Sequence, residues 1–230
     1  MGTDGRAPRR WGGDEIRIPP VRSVEGEVYG TNVRIQRHLP GAPVKVVGSS
    51  PGPVLNPIPV SSRSVFRGNL VELRLDRVRV GKKTRQREVV VHPGAVAIVA
   101  VTDNREIVLV RQYRHAVAAR LYEIPAGTLE RDERPLQCAQ RELAEETGYQ
   151  AEHWELLGEI YSSPGFCTEK IWVYLARGLR SGTAVPDDDE ELHVRLLPWT
   201  EIRPWVREGR LADGKSLAAI LMAGWALEGT

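Results

Sequence analysis

Cysteine is almost missing from this sequence: Cys138 and Cys167 are the only two in 230 residues. Two thiols cannot build a disulfide framework or a four-thiolate zinc site, so both are expected to be reduced. No apolar run approaches the roughly 20 residues that span a bilayer, and the opening MGTDGRAPRRWGGDE has no apolar signal core. These absences point to a cytoplasmic protein with no membrane role. Neither sign of charge dominates, since 32 Lys and Arg against 30 Asp and Glu leave a formal charge of +2. That balance is too even for a dedicated nucleic-acid or membrane-surface binder. Lysine is also scarce, because Lys45, Lys82, Lys83, Lys170 and Lys215 are the only ones among the 32 cations and the rest are arginines. Genome composition explains most of that bias, with phosphate recognition as a second source.

What is present divides the chain. Residues 1–60 hold nine of the 16 prolines and nine of the 22 glycines, a breaker-rich composition expected to form an extended or partly disordered arm. A hairpin is expected within it, 27–29 against 32–36. From residue 61 the pattern turns to strands, with Val71, Leu73 and Leu75 alternating with polar residues, so 61–92 reads as a small N-terminal β region. The remainder, 93–230, is expected to be the main domain. A turn at Asp103-Asn104 predicts a hairpin of 95–101 with 107–113. Leu136, Ala139 and Leu143 recur at helical spacing over 135–147, with Gly148 as a C-cap. Strands are expected over 154–161, 170–176 and 193–197, and helices over 200–208 and 216–227. Strands and helices mixed without a βαβ repeat predict an α/β fold with a mixed sheet flanked by helices.

The chemistry concentrates in GTLERDERPLQCAQRELAEETGY, residues 127–149. On a helix, Glu142, Glu145 and Glu146 stand at i, i+3 and i+4, which puts three carboxylates on one face. Arg141 is the only cation within helical reach. Hard oxygen ligands in such a cluster suit Mg²⁺ or Mn²⁺, which take carboxylates and waters and bridge substrate phosphates. Gly127 is expected to be a backbone-permissive turn residue that aims the Ala126 carbonyl at the metal.

The spacing of Gly127, Glu133, Arg141, Glu142, Glu145, Glu146 and Gly148 resembles the Nudix box at every specified position. Seven identities at ~5% usage each coincide at roughly 10⁻⁹ per starting position, so chance is no competitor. The resemblance implies a Nudix α/β/α sandwich that hydrolyses a nucleoside diphosphate linked to another moiety with Mg²⁺ or Mn²⁺. It further implies Glu142 and Glu146 as principal metal ligands, and Glu145, Glu133 and the Ala126 carbonyl as lesser ones. Arg141 is implied as the residue that orients the glutamates.

Outside the box, Val110–Arg114, Tyr122–Gly127 and Ser163–Phe166 resemble the ADP-ribose pyrophosphatase subgroup. Pro164 lies 16 residues after Gly148, as that subgroup has it. The resemblance implies that Arg114 contacts the diphosphate or ribose region; Tyr113, Glu123, Pro164 and Gly165 are the further candidate substrate residues, with Tyr113 and Phe66 as aromatic candidates for stacking on adenine. It also implies a loop carboxylate that activates the attacking water, for which Glu190 is the choice and Asp188 and Glu191 the neighbours. A homodimer joined through the N-terminal β region is expected. Two rival readings are kept: a Nudix enzyme for GDP-mannose or an oxidised nucleotide, and a non-catalytic nucleotide-binding regulator.

Overall fold

The computed structural model describes residues 56–182 and 192–228. The hairpin expected at 27–36 and the acidic stretch 187–191 lie outside the described residues. Among the described residues, ten strands and three α-helices follow in order: β1 Ile58–Arg67, β2 Glu72–Val80, β3 Lys83–Val91, β4 Ala95–Ala100, β5 Glu106–Arg114, β6 Ala119–Glu123, β7 Ala126–Thr128, α1 Pro135–Thr147, β8 Tyr149–Tyr161, β9 Lys170–Ser181, β10 His193–Pro198, α2 Ile202–Arg207 and α3 Gly214–Glu228. Residues 60–77 and those from 86 onward form one compact unit, while 56–59 and 78–85 belong to a second. β1, β2 and β3 make a three-stranded sheet in that order.

The main architecture is organised on β4. Its sequence AVAIVA is apolar without interruption, and all six residues are buried. Such a run has no polar face to offer water, so both faces must be covered. Alternation then divides the core. Ala95, Ala97 and Val99 join Ile171, Val173, Leu175, Ala219 and Ala223 in one cluster, which includes α2 and α3 residues. Val96, Ile98 and Ala100 join Cys138, Ala139, Leu143 and Tyr174 in the other, beneath α1. Full burial of a side chain such as Ile98 or Leu143 contributes about 1.5–3 kcal/mol. A mixed sheet with helices on both faces results, as the sequence predicts.

Three details differ from the sequence reading. Among the described residues strand structure begins at Ile58, before the change of texture at residue 61, so β1 includes the last residues of the breaker-rich stretch. The stretches 95–101 and 107–113 are strands but not a hairpin: β4 sits between β7 and β9 in a sheet ordered β7-β4-β9-β8, and β5 sits between β10 and β6 in another. The two touch through an isolated bridge, Val101 to Ile107. The reason is that both edges of β4 are already used, antiparallel by β7 and parallel by β9. The left-handed residue of the intervening turn is Arg105, at φ 58°. On α1, Leu136 is 39% exposed, and Cys138 takes its place in the core. Gly148 does end the helix in the left-handed conformation, with φ 72° and its N–H donating to the Ala144 carbonyl.

One segment links the two sheets. Glu123 closes β6, Ile124-Pro125 cross over with the Ile98 N–H donating to the Pro125 carbonyl at 2.8 Å, and Ala126 opens β7. Residues 123–126 therefore run from the β5–β6 pair to the strand facing α1.

Candidate active site

α1 and β7 face each other across the box. Glu146 is 5% exposed, and its Oε2 accepts the Ala126 N–H at 3.1 Å. Glu142 lies against Gly127 so closely that a methyl group on Gly127 would fall on its carboxylate. This corrects the expected role of the glycine: Gly127 is part of β7 and is not among the positive-φ residues. A close approach is what requires it, because only a residue without Cβ leaves room for Glu142.

Arg141 organises the remaining carboxylates. Its guanidinium donates to Glu133 at 2.9 and 3.0 Å, to Glu142 at 2.8 Å and to Glu145 at 2.9 Å. Glu133 also accepts the Glu130 N–H at 3.0 Å, which ties down the loop entering α1. The Arg141 guanidinium holds the Glu133 carboxyl at about 2, far below the usual carboxylate range. Beneath them the Cys138 thiol is pushed up to about 12, first by burial and then by the nearby Glu133, so it stays an inert thiol.

Because Glu133 is depressed in the folded state, its contribution to stability is fully present above its ordinary value of 4.5 and is lost as pH falls toward 2. Glu133→Gln is expected to lower the unfolding free energy at pH 7 by about 1–3 kcal/mol, the range for a charge-assisted bond. The gap between the two proteins should shrink to less than half by pH 3. Urea unfolding at the two pH values measures it, and a pH-independent gap would detach the effect from ionisation.

Three carboxylates thus meet one guanidinium across α1 and its entry loop, with Glu146 a fourth on the same helix. Four carboxylates in this small region make it acidic, and Glu142 and Glu146 are largely removed from water, conditions that favour a hard divalent cation. Among the described residues no set of three or more His, Cys, Asp or Glu side chains is already gathered as a ligand cage. The donor set suits an ion that takes one or two carboxylates and keeps its waters.

A cavity of about 670 Å³ opens beside β7. Ala126, Gly127 and Thr128 line one side, and Arg114, Glu123, Asp213 and Lys215 another. The β5–β6 register puts Arg114 and Glu123 on the same face. There Arg114 grips Glu123 with Nε to Oε1 and Nη2 to Oε2, both at 2.8 Å. Glu123 is 1% exposed, and Lys215 Nζ also donates to its Oε2. Burial pushes the Glu123 carboxyl up, yet the bonds from Arg114 and Lys215 outweigh it and the net direction is downward. Its hydrogen bond to Glu123 correspondingly raises Arg114.

The other expected substrate residues are placed differently. Tyr113 is 51% exposed, packs edge-on against His115 and does not line the cavity. Pro164 and Gly165 sit exposed on the turn closed by Phe166 N–H to the Ser163 carbonyl at 3.1 Å. Tyr161 and Ser162, just before them, do line the cavity. Sequence reasoning missed Lys215, Asp213, His92 and Glu169 as lining residues. Lys215 carried one signal, its rarity among cations that are nearly all arginine.

The NUDIX domain pattern matches residues 91–219, more than half of the chain. The chain belongs to the Nudix family. It is 42% identical over 167 residues to the ADP-ribose pyrophosphatase of Mycobacterium tuberculosis, covering 72% of this chain and 79% of that one. It is 40% identical over 164 residues to the methanol dehydrogenase activator of Bacillus methanolicus, covering 70% and 89%. A crystal structure of an ADP compounds hydrolase superposes with a TM-score of 0.68 at 21% identity, covering 75% of this chain and 95% of that one, a likeness of fold.

Proposed function

We propose that this Nudix pyrophosphohydrolase cleaves the diphosphate linkage of ADP-ribose or a related nucleoside diphosphate sugar to a nucleoside monophosphate and a sugar phosphate. The observation that carries the reading is the cavity shared by the box strand Ala126–Thr128 and the Arg114–Glu123 pair. It puts cations, Arg114 and Lys215, in one cavity with the strand whose Ala126 and Gly127 rest on Glu146 and Glu142 of the acidic helix. The identity with an ADP-ribose pyrophosphatase supports the choice of sugar nucleotide.

In this reading Glu142 and Glu146 hold the ion, with Glu145, Glu133 and the Ala126 carbonyl as further donors. Mg²⁺ suits such a donor set because it keeps several waters and takes few carboxylates, and Mn²⁺ would serve similarly. The ion, when bound, neutralises the diphosphate and makes water a better nucleophile. Arg141 holds Glu145 and Glu142 at fixed angles, which keeps the acidic face from collapsing by self-repulsion. Arg114 binds a diphosphate oxygen. Pro164 and Gly165 support the turn behind Ser162, while Tyr113 and Phe66, which do not line the cavity, are assigned no contact with the base. A carboxylate of the 187–191 stretch, Glu190 with Asp188 and Glu191 as neighbours, takes the proton of the attacking water.

A homodimer joined through the N-terminal β region belongs to the same proposal. It is supported by Val65 and Phe66 on β1 and Leu70 after it, which are 40%, 59% and 54% exposed, individual apolar side chains that a partner would cover. The residues before β1 are read as an arm outside the catalytic domain. A cytoplasmic setting fits two free thiols. No helix among the described residues is long and apolar enough to cross a membrane.

A panel of ADP-ribose, GDP-mannose, an oxidised nucleoside triphosphate and a dinucleoside polyphosphate, with and without Mg²⁺, tests the reading. Preferential, Mg²⁺-dependent release of AMP from ADP-ribose is expected, with a dimer mass by light scattering. Preference for GDP-mannose or the oxidised nucleotide would move the chain to another Nudix activity, and binding without turnover would make it a regulator.

A further inference from the structure

Lys215 occupies the first turn of α3, on the sheet face away from α1, yet its ammonium reaches the substrate cavity. It is 17% exposed and donates to two carboxylates, Glu123 and Asp213, the latter at 3.0 Å. Asp213 has a separate task. Its Oδ2 accepts the Ser216 N–H at 3.0 Å and the Ser216 hydroxyl at 2.6 Å, the geometry of a helix N-cap. The Ser216 oxygen in turn accepts the Ile124 N–H at 2.9 Å, within the segment that runs from Glu123 to Ala126. The start of α3 is thereby bonded to both sides of the cavity: to the carboxylate that grips Arg114, and to the backbone leading into β7.

The charges of this cluster decide what it can bind. Arg114 and Lys215 balance Glu123 and Asp213, so the cluster as a whole is neutral. Glu123 alone would cancel Arg114, and Asp213 would then leave the cavity wall negative toward an incoming diphosphate. Lys215 shares Glu123 Oε2 with Arg114 Nη2, which draws part of that carboxylate's charge away from the guanidinium. The bidentate grip meanwhile uses Nε and Nη2 of Arg114 and leaves Nη1 outside the pair.

We propose that Lys215 is a positioning and charge-setting residue for the diphosphate site: by sharing Glu123 with Arg114 and neutralising Asp213, it keeps Arg114 able to bind an anion. This rests on the reading of the cavity as a diphosphate site. The role differs from plain structural support, because it acts on affinity for a charged substrate and passes through one named carboxylate.

The test uses the full chain, with Lys215→Met as the first variant, which keeps the length of the side chain and removes its charge. Expected is a rise in KM for ADP-ribose of about tenfold or more with kcat within about threefold, as one uncompensated charge beside a diphosphate would give. The affinity for ADP, followed by calorimetry without turnover, should fall in parallel. The second variant, Lys215→Met with Glu123→Gln, returns the cluster to neutrality and should recover at least half of the lost ADP affinity on a logarithmic scale. Unchanged KM and ADP affinity in Lys215→Met overturn the proposal. So does a loss that Glu123→Gln leaves untouched, which would mean that Lys215 meets the phosphate directly or only supports the fold. A wild-type protein that turns over no ADP-ribose but binds ADP refutes the proposed activity alone, and the ADP titrations then decide the role of Lys215. A wild-type protein that binds neither overturns both.

Discussion

Glu146→Gln is expected to lower kcat by about 10²-fold or more at saturating Mg²⁺, since activation of water by a metal supplies several kcal/mol. Gln retains an oxygen that can accept the Ala126 N–H, the bond that Glu146 Oε2 makes at 3.1 Å, so the packing of α1 on β7 should survive. What is removed is one negative charge at a nearly buried position. Gly127→Ala approaches the same face from the opposite strand, because its methyl group would occupy the place of the Glu142 carboxylate and push it off β7. A loss of at least about tenfold is expected there. Circular dichroism and thermal unfolding check that both variants fold. Near-normal turnover of a folded Glu146→Gln would remove this residue from the mechanism.

The second large effect concerns the acidic stretch 187–191, for which two accounts make opposite claims. If these carboxylates only keep the surface solvated, Glu190→Gln changes little, because an exposed charge without a partner contributes almost nothing. If one of them is the general base, its neutralisation lowers kcat by roughly 10²- to 10⁴-fold while substrate affinity and metal activation stay close to wild type. Asp188→Asn and Glu191→Gln belong in the same experiment, because neighbouring carboxylates in one acidic run are interchangeable to sequence reasoning. Full kcat in all three single variants would exclude a base in this stretch and return the role to a box residue such as Glu145.

The carboxylate face of α1 is legible in the sequence because helix geometry is local. Spacings of one, three and four residues translate directly into neighbours, so Glu142, Glu145, Glu146 and Arg141 have to share a face once the helix forms. The same holds for Gly148, whose left-handed φ follows from ending a helix, and for β4, whose unbroken apolar run demands cover on both faces. Strand pairing is less legible. A turn at 102–106 brings 95–101 and 107–113 close whether or not they pair, and only the competition of β7 and β9 for the edges of β4 separates them.

The site beyond the box belongs to the tertiary structure. Gly127 reads in sequence as a turn glycine, while its actual constraint is the Glu142 side chain, which fills the space of its missing Cβ. Lys215 and Glu123 are 92 residues apart, and no periodicity connects them. They meet because α3 covers one face of the sheet and because the end of β6 and the residue after it bring Glu123 and Ile124 past its first turn. The sequence by itself determined the chemistry of the acidic helix α1, since i, i+3 and i+4 neighbours are set by the helix alone. Which cations and backbone amides line the cavity beside β7 was decided only by folding, because such contacts depend on how layers stack and not on residue spacing.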